Sequence, residues 1–288
     1  MPIDLAAAMA APPTTKTISW TTRDVLLYHL SLGAGRGADP QLRWTYEQEL
    51  QVLPTFALVA GQGPSAGELA PTALRLTGCD IDLRRILHAG QAVTVHRPLP
   101  AIGEATITTR IADLWDKGKA AVIVLEHSAV DPAGELLWTT RMQIWARGEG
   151  GFGGEAGPTE DAALPAREPD LVVERATWPD QALLYRLNGD LNPLHADPAF
   201  ARAAGFEAPI LHGLCSYGIL AGAVVEELLD GDAARLAALE VRFAGTLTPG
   251  ETLRLRMWRE ADRLQLLATC VERDDAPVLT HAGALILS

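Results

Sequence analysis

The sequence predicts an α+β protein made of two similar halves, each a helix wrapped by a long antiparallel sheet. Three observations carry that expectation. A stretch rich in Gly, Pro and acidic residues near mid-chain interrupts a periodic apolar pattern. The same landmarks follow in the same order on either side of it. The long segments that end each half alternate apolar and polar residues, as half-buried strands do.

Taken in order, the chain opens with MPIDLAAAMAAPPTT, which lacks a basic leading region and has an apolar run too short for a signal core, so it reads as a frayed tail. In the first half a Pro-led apolar helix is expected at LPTFALVAG, from Leu53, and GQGPSAG from Gly61 interrupts it. RILHAGQAVTV then reads as a strand with a turn centred on Gly90, and KAAVIVLEHSAV and GELLWTTRMQIWA as two long strands. In the last of these, Leu137, Thr139, Arg141 and Gln143 alternate with Trp138, Thr140, Met142 and Ile144.

The break runs from Ala146 to Asp170 and divides the chain into halves of residues 1–147 and 171–288, with 148–170 as linker. Beyond it APILHGLCSYGILAGAVVEELL, from Ala208, gives a longer Pro-led helix. VRFAGTLTPGETLRL repeats the strand with its Gly turn, and RLQLLATCVE and APVLTHAGALILS repeat the two long strands. Trp115 matches Trp258, 143 positions on, and Gly90 matches Gly250, 160 positions on.

Composition narrows the function classes. With 48% hydrophobic and 21% charged residues the chain can bury a full core. A formal net charge of −12 without a dense Lys/Arg patch argues against a nucleic-acid partner. Cys79, Cys215 and Cys270 are far apart in apolar surroundings, which fits neither a disulfide framework nor a CxxC metal site and points to a reducing, cytoplasmic setting. No run approaches the roughly 20 apolar residues of a membrane span.

The chemistry concentrates in NGDLNPLHADPAF, Asn188 to Phe200. Gly189 permits a tight turn, Pro193 fixes one backbone angle, and Asp197 with Pro198 caps a following short helix. Asp190, Asn192 and His195 are left over from that local architecture. Five residues apart on a stiffened loop, Asp190 and His195 can bring a carboxylate and an imidazole to one cleft. The competing account gives Asp190 a local turn hydrogen bond and His195 a satisfied, partly buried role, since turns are rich in Asp and Asn for local reasons.

Gly213 falls near the start of the buried second helix, where backbone N–H groups have no intrahelical partner. Such an N–H can stabilise an oxyanion, a contribution of about 3 kcal/mol. His212 reads as a helix-start residue packed beside the loop. His195, Asp197 and His212 are metal-ligand types, yet no closely spaced pair shares a helical face, and no metal is expected.

The segment YRLNGDLNPLHADPAFARAAGFEAPILHGLCSYG closely resembles the signature of the (R)-specific enoyl-CoA hydratases of the hydratase 2 type, which are MaoC-like and also occur as a domain of peroxisomal multifunctional enzyme type 2. LQVLPTFALVAG, ILHAGQ, PLP, LWDKGKAAVIV, GGFGG and VRFAGTLTPGETL resemble that family's landmarks in the same order, so the likeness spans nearly the whole chain. The resemblance implies a double hot-dog fold, with a first repeat that helps hold acyl-CoA and a second repeat that carries the catalytic loop. It implies reversible hydration of a trans-2-enoyl-CoA to a (3R)-3-hydroxyacyl-CoA, without metal or redox cofactor, by a homodimer.

Residue by residue, it makes Asp190 and His195 the pair that holds a water, and it leaves open which of them donates the proton. It gives Asn192 a part in orienting that water and Gly213 the thioester oxygen. His88, Ala89, Lys117 and Phe243 become CoA or acyl contacts, with Ala89 standing where the family has glycine. Two alternatives remain beside this: a hot-dog thioesterase or dehydratase on the same carrier, and a non-catalytic acyl-CoA binding protein.

Overall fold

The computed structural model describes residues 3–62, 73–82, 85–159 and 163–287. The segment GPSAG, the larger part of the predicted helix interruption, lies outside the described residues.

Ten strands form one antiparallel sheet. In the first half these are β1 (Thr14–Trp20), β4 (Ile86–Val95), β5 (Gly103–Asp116), β6 (Ala120–Val130) and β7 (Leu136–Arg147). In the second they are β8 (Leu171–Ala176), β9 (Leu236–Phe243), β10 (Thr252–Glu260), β11 (Arg263–Cys270) and β12 (Ala276–Ile286). The spatial order is β1-β5-β6-β7-β4-β9-β12-β11-β10-β8. Read outward from the centre, the two halves have the same strand order, so a single antiparallel seam between β4 and β9 joins two five-stranded units. At the seam Gly90 faces Arg242 and Thr94 faces Ala238. A small hairpin of β2 (Ala73–Leu76) and β3 (Cys79–Asp82) stands apart.

The four long strands predicted at the ends of the halves are present. Alternation holds in the body of β7, where Thr140 and Ile144 are buried and Arg141 is exposed, but not at its start, where Leu137 and Trp138 are both buried. The repeat in the second half encloses α6 (Gly213–Leu228), 16 residues and nearly all buried through Val225. A helix that is apolar all round belongs in an interior, and here the sheet curls over it. Its exposed end is held by Arg175 of β8, which pairs with Glu226 at 3.2 Å and Glu227 at 2.6 Å.

The first half departs from the expectation of a matching helix. LPTFALVAG forms only a five-residue 3₁₀ turn, Pro54–Leu58, with Pro54, Thr55, Phe56 and Ala57 buried. The apolar run ends at Gly61, whose φ of +65° stops further winding. The inner face of the first half-sheet is covered instead by α2 (Thr22–Ser31), the four-residue α3 (Leu42–Thr45) and the N-terminal segment.

That segment is docked, against the reading of a frayed tail. Asp4 caps α1 (Leu5–Met9) by accepting from Ala7 N at 3.0 Å. Ile3 and Ala8 are buried with Cys79, Ile81, Ile123 and Ile144. The apolar side of a short N-terminal helix thus seals one end of the half-sheet.

Gly90 also differs from its predicted role. It lies inside β4, paired on both sides, and its match to Gly250 fails because Gly250 sits in the turn between β9 and β10. The glycine follows a β-bulge at Ala89, where the register against β7 shifts. Trp115 and Trp258 do correspond, each near the end of β5 or β10.

Candidate active site

The loop from Asn188 to Asp197 connects α4 (Gln181–Tyr185) to α5 (Pro198–Ala203). Its ends are fixed before its functional groups are considered. Buried Asn188 donates to Ser31 Oγ at 2.9 Å and to the Tyr185 carbonyl at 2.8 Å, anchoring the loop to the first half. Gly189 has φ +122°, and a Cβ there would run into the carbonyl of Gln62, so no other residue fits. At the far end Asp197 caps α5 by accepting from Ala199 N at 2.8 Å, with Pro198 at the first helical position.

Between these anchors Asn192 Oδ1 accepts from Leu194 N at 3.0 Å and caps a single 3₁₀ turn, Pro193–His195. Asp190 Oδ1 accepts from Asn192 N at 3.1 Å. Asp190 therefore makes the local turn hydrogen bond that the competing account gave it, and Asn192 makes a cap of its own. For Asn192 this occupies the side-chain oxygen. Asp190 has a second oxygen, Oδ2, which faces His195 Nε2 at 3.9 Å.

His195 is buried, and its Nδ1 lies 2.8 Å from the carbonyl of Ile210. A carbonyl can only accept, so Nδ1 carries the proton and Nε2 keeps its lone pair toward Asp190. Burial, the largest influence, holds the imidazole below its usual pKa, while the Asp190 charge pulls in the opposite direction. At neutral pH His195 is thus an uncharged base. The 3.9 Å gap is too long for a direct hydrogen bond and suits one bridging water.

Gly213 begins α6 beside this pair. The intrahelical ladder starts with Cys215 N bonding to His212 O, which leaves the Gly213 N–H ahead of it at the positive end of the helix dipole. The Phe243 ring packs against Gly213, and His88 packs on Phe243 with ring centroids 4.6 Å apart. His88 comes from β4 and Phe243 from β9, so the central seam brings a residue of each half to the start of α6. Burial lowers the His88 pKa to about 4, with Gln91 the next influence and Asp190 close enough to act in the same direction as Gln91.

Ala89, the bulged residue beside His88, is not among the described non-glycine residues with left-handed backbone. The missing glycine therefore demands no unusual conformation there. Lys117 stands away from this cluster at the β5–β6 turn, where its Nζ donates to the Pro158 carbonyl at 3.1 Å and lies 5.7 Å from the Trp115 ring. Trp115 and Pro158 line a cavity of about 480 Å³ that also carries Arg141, Arg242 and His281.

Two neighbours escaped the sequence reading. Gln91 is buried, its amide donates to the carbonyls of Ala92 and Arg141, and its Oε1 is left to accept from His88 Nε2 at 3.1 Å. His212, read as a packing residue and weighed as a metal ligand, stacks on His195 at 3.7 Å between centroids and 25° between planes. Asp190, His195 and His212 place ligand-type atoms within 4.8 Å of one another, the one such cluster among the described residues. The in-plane lone pairs of two nearly parallel rings do not converge at a metal–nitrogen distance of about 2.1 Å, so the cluster fits water better than a metal ion.

A buried imidazole opposite a carboxylate, beside a helix-start N–H within a doubled antiparallel sheet, is suited to the class of enzymes that add water to, or remove it from, acyl thioesters. The MaoC like domain model matches residues 160–275, and the MFE-2 hydratase 2 N-terminal domain model matches residues 18–148. The chain is 49% identical to the enoyl-CoA hydratase ChsH3 of Mycobacterium tuberculosis, over 97% of this chain and 98% of that one. It is 43% identical to the 3-hydroxyacyl-thioester dehydratase Y of the same organism, over 92% of each. A solved MaoC-like dehydratase from Phytophthora capsici superposes with a TM-score of 0.86 at 30% identity, covering 99% of this chain and 98% of that one. The chain belongs to the hydratase 2 family of MaoC-like enoyl-CoA hydratases, and its fold is the double hot dog.

Proposed function

We propose that the protein catalyses the reversible hydration of a trans-2-enoyl-CoA to a (3R)-3-hydroxyacyl-CoA in acyl-CoA metabolism, with Asp190, His195 and Gly213 as its catalytic groups. The observation that carries these roles is the 3.9 Å span between Asp190 Oδ2 and His195 Nε2 beside the start of α6.

A water in that span gives one hydrogen bond to each group. His195 Nε2 takes its proton as the oxygen bonds to C3, and the C2=C3 electron pair moves toward the thioester oxygen at the Gly213 N–H. The imidazole then returns the proton to C2, so the net change is one water added. Asp190 orients the water and balances the transient imidazolium. Asn192 shapes the loop through its cap, and His88, Ala89 and Phe243 flank the thioester from the seam.

The first half, residues 1–147, holds the acyl-CoA, the second, 171–288, carries the chemistry, and 148–170 links them. The acyl chain runs along the inner face of the first half-sheet, where a 3₁₀ turn stands in place of a long helix and Ile107, Thr109, Ile111 and Met142 are only half-buried. Lys117 contacts the CoA phosphates. Three buried free thiols support a reducing, cytoplasmic location, and the family's habit supports a homodimer. Among the described residues no helix is long and apolar enough to cross a membrane.

The test is loss of the enoyl-thioester absorbance on adding protein, followed by chiral analysis of the product. Formation of (3S)-hydroxyacyl-CoA, or release of free CoA, would overturn the reading. A purely binding role predicts a degraded Asp190 and His195 pair, whereas both residues are present with their supporting contacts.

A further inference from the structure

We propose that His212 is a positioning residue that ties the three reacting groups together, an inference that rests on the hydratase reading above. Its ring stacks on His195 with centroids 3.7 Å apart. Its Nε2 lies 3.3 Å from the main-chain carbonyl of Asp190. It is itself the residue before Gly213, at the N-cap position of α6, where its side chain makes no capping bond.

The hydrogen-bond chemistry fixes how it does this. The Asp190 carbonyl can only accept, so His212 carries its proton on Nε2. Its Nδ1 is then a bare lone pair, and that atom is buried without a partner. Leaving such an acceptor unsatisfied is costly, and it persists where the surroundings over-determine the side chain. Protonating Nδ1 would satisfy nothing and would place a positive charge against the ring of His195. Burial first, and His195 next, hold the His212 imidazole well below its usual pKa, against the weaker pull of Asp190.

The ring therefore stays neutral and keeps one tautomer. It presses one face on the base and holds the backbone of the carboxylate residue with its edge, while Tyr185 packs at 4.9 Å on it. Asp190 is otherwise half-exposed on a loop, and among the described residues its carboxylate accepts a hydrogen bond from Asn192 N alone. Without His212 the carboxylate and the imidazole would each have freedom to move by an ångström, the scale of displacement that costs about 100-fold in rate.

The test compares three variants of the full chain. His212→Ala removes both contacts, His212→Phe keeps the stacking surface and volume, and His212→Gln keeps an N–H donor. With a trans-2-enoyl-CoA substrate, His212→Ala is expected to lower kcat by about 30- to 100-fold with KM within about threefold. His212→Phe and His212→Gln are each expected to recover part of that loss. Circular dichroism checks that every variant is folded, and the volume-conserving His212→Phe keeps the test decisive if the alanine variant fails to fold. The inference is overturned if all folded variants turn over within threefold of wild type, or if the loss resides in KM. Absence of hydration by the wild-type protein would instead overturn the reading on which it rests.

Discussion

Phe243 lies across the start of α6 so closely that a Cβ on Gly213 would stand 2.9 Å from its Cδ1 and Cε1. Position 213 is thus kept free of a side chain by the seam residue itself. Gly213→Ala retains the backbone N–H but forces Phe243 or the helix start to shift. Turnover is expected to fall by about 100-fold. Adding Phe243→Leu opens the space and is expected to recover at least about tenfold. Steady-state rates of the single and double variants check this, and no recovery would mean that the bound thioester itself excludes the methyl.

The water proposed to bridge Asp190 and His195 predicts a sharper loss. Asp190→Asn keeps the local hydrogen bond to Asn192 N yet removes the charge, and His195→Ala removes the base. Each is expected to lower turnover by at least about 100-fold while the fold persists. Near-normal rates in either variant would sink the assignment. Because His195 is held below its usual pKa by burial, activity is expected to stay level above pH 6.5 and to fall only in more acid solution, where the imidazole gains a proton.

Much of this site was legible in sequence because it is local. The Asp197 cap with its Pro198, the turn at Gly189 and the apolar length of α6 are properties of short segments, and they hold. What escaped depends on partners distant in the chain. Gln91 lies three residues beyond His88, and in a regular strand residues three apart face opposite sides. The bulge at Ala89 inserts the residue that brings them to one side, and only pairing against β7 reveals it. LPTFALVAG has the composition of a helix start, but its length is set by what it packs against. The docking of α1 likewise depends on the β2–β3 hairpin, which no local pattern announces.

Lys117 makes a prediction that separates the carrier from the acyl group. Its ammonium is held near Trp115 by the Pro158 carbonyl and carries the charge that a CoA phosphate would meet. Lys117→Ala is expected to raise KM for an enoyl-CoA about fivefold at low salt and less at high salt, as for a partly screened ion pair. KM for an enoyl thioester of N-acetylcysteamine, which lacks the nucleotide, is expected to stay unchanged. Equal effects on the two substrates would remove Lys117 from the CoA contacts.

Acid stability gives a prediction away from the active site. His29 of α2 is buried, with Nδ1 3.2 Å from the Trp44 carbonyl and Nε2 3.4 Å from Leu53 N. The neutral ring uses one nitrogen as donor and the other as acceptor, fastening α2 to the segment that leads into the 3₁₀ turn. Protonation would turn Nε2 toward Leu53 as a second donor and break that contact. Burial lowers the pKa to about 4, although the Trp44 bond pulls it upward. The folded state therefore binds fewer protons than the unfolded chain, whose histidine titrates near 6.5, and stability must fall as pH drops from 6.5 toward 4. At pH 5 this amounts to about 2 kcal/mol from His29 alone. Urea midpoints measured at pH 7.5 and pH 5 are expected to differ by less in His29→Gln than in wild type, even though the variant is less stable at pH 7.5. An unchanged pH difference would place the acid sensitivity in other buried histidines such as His212.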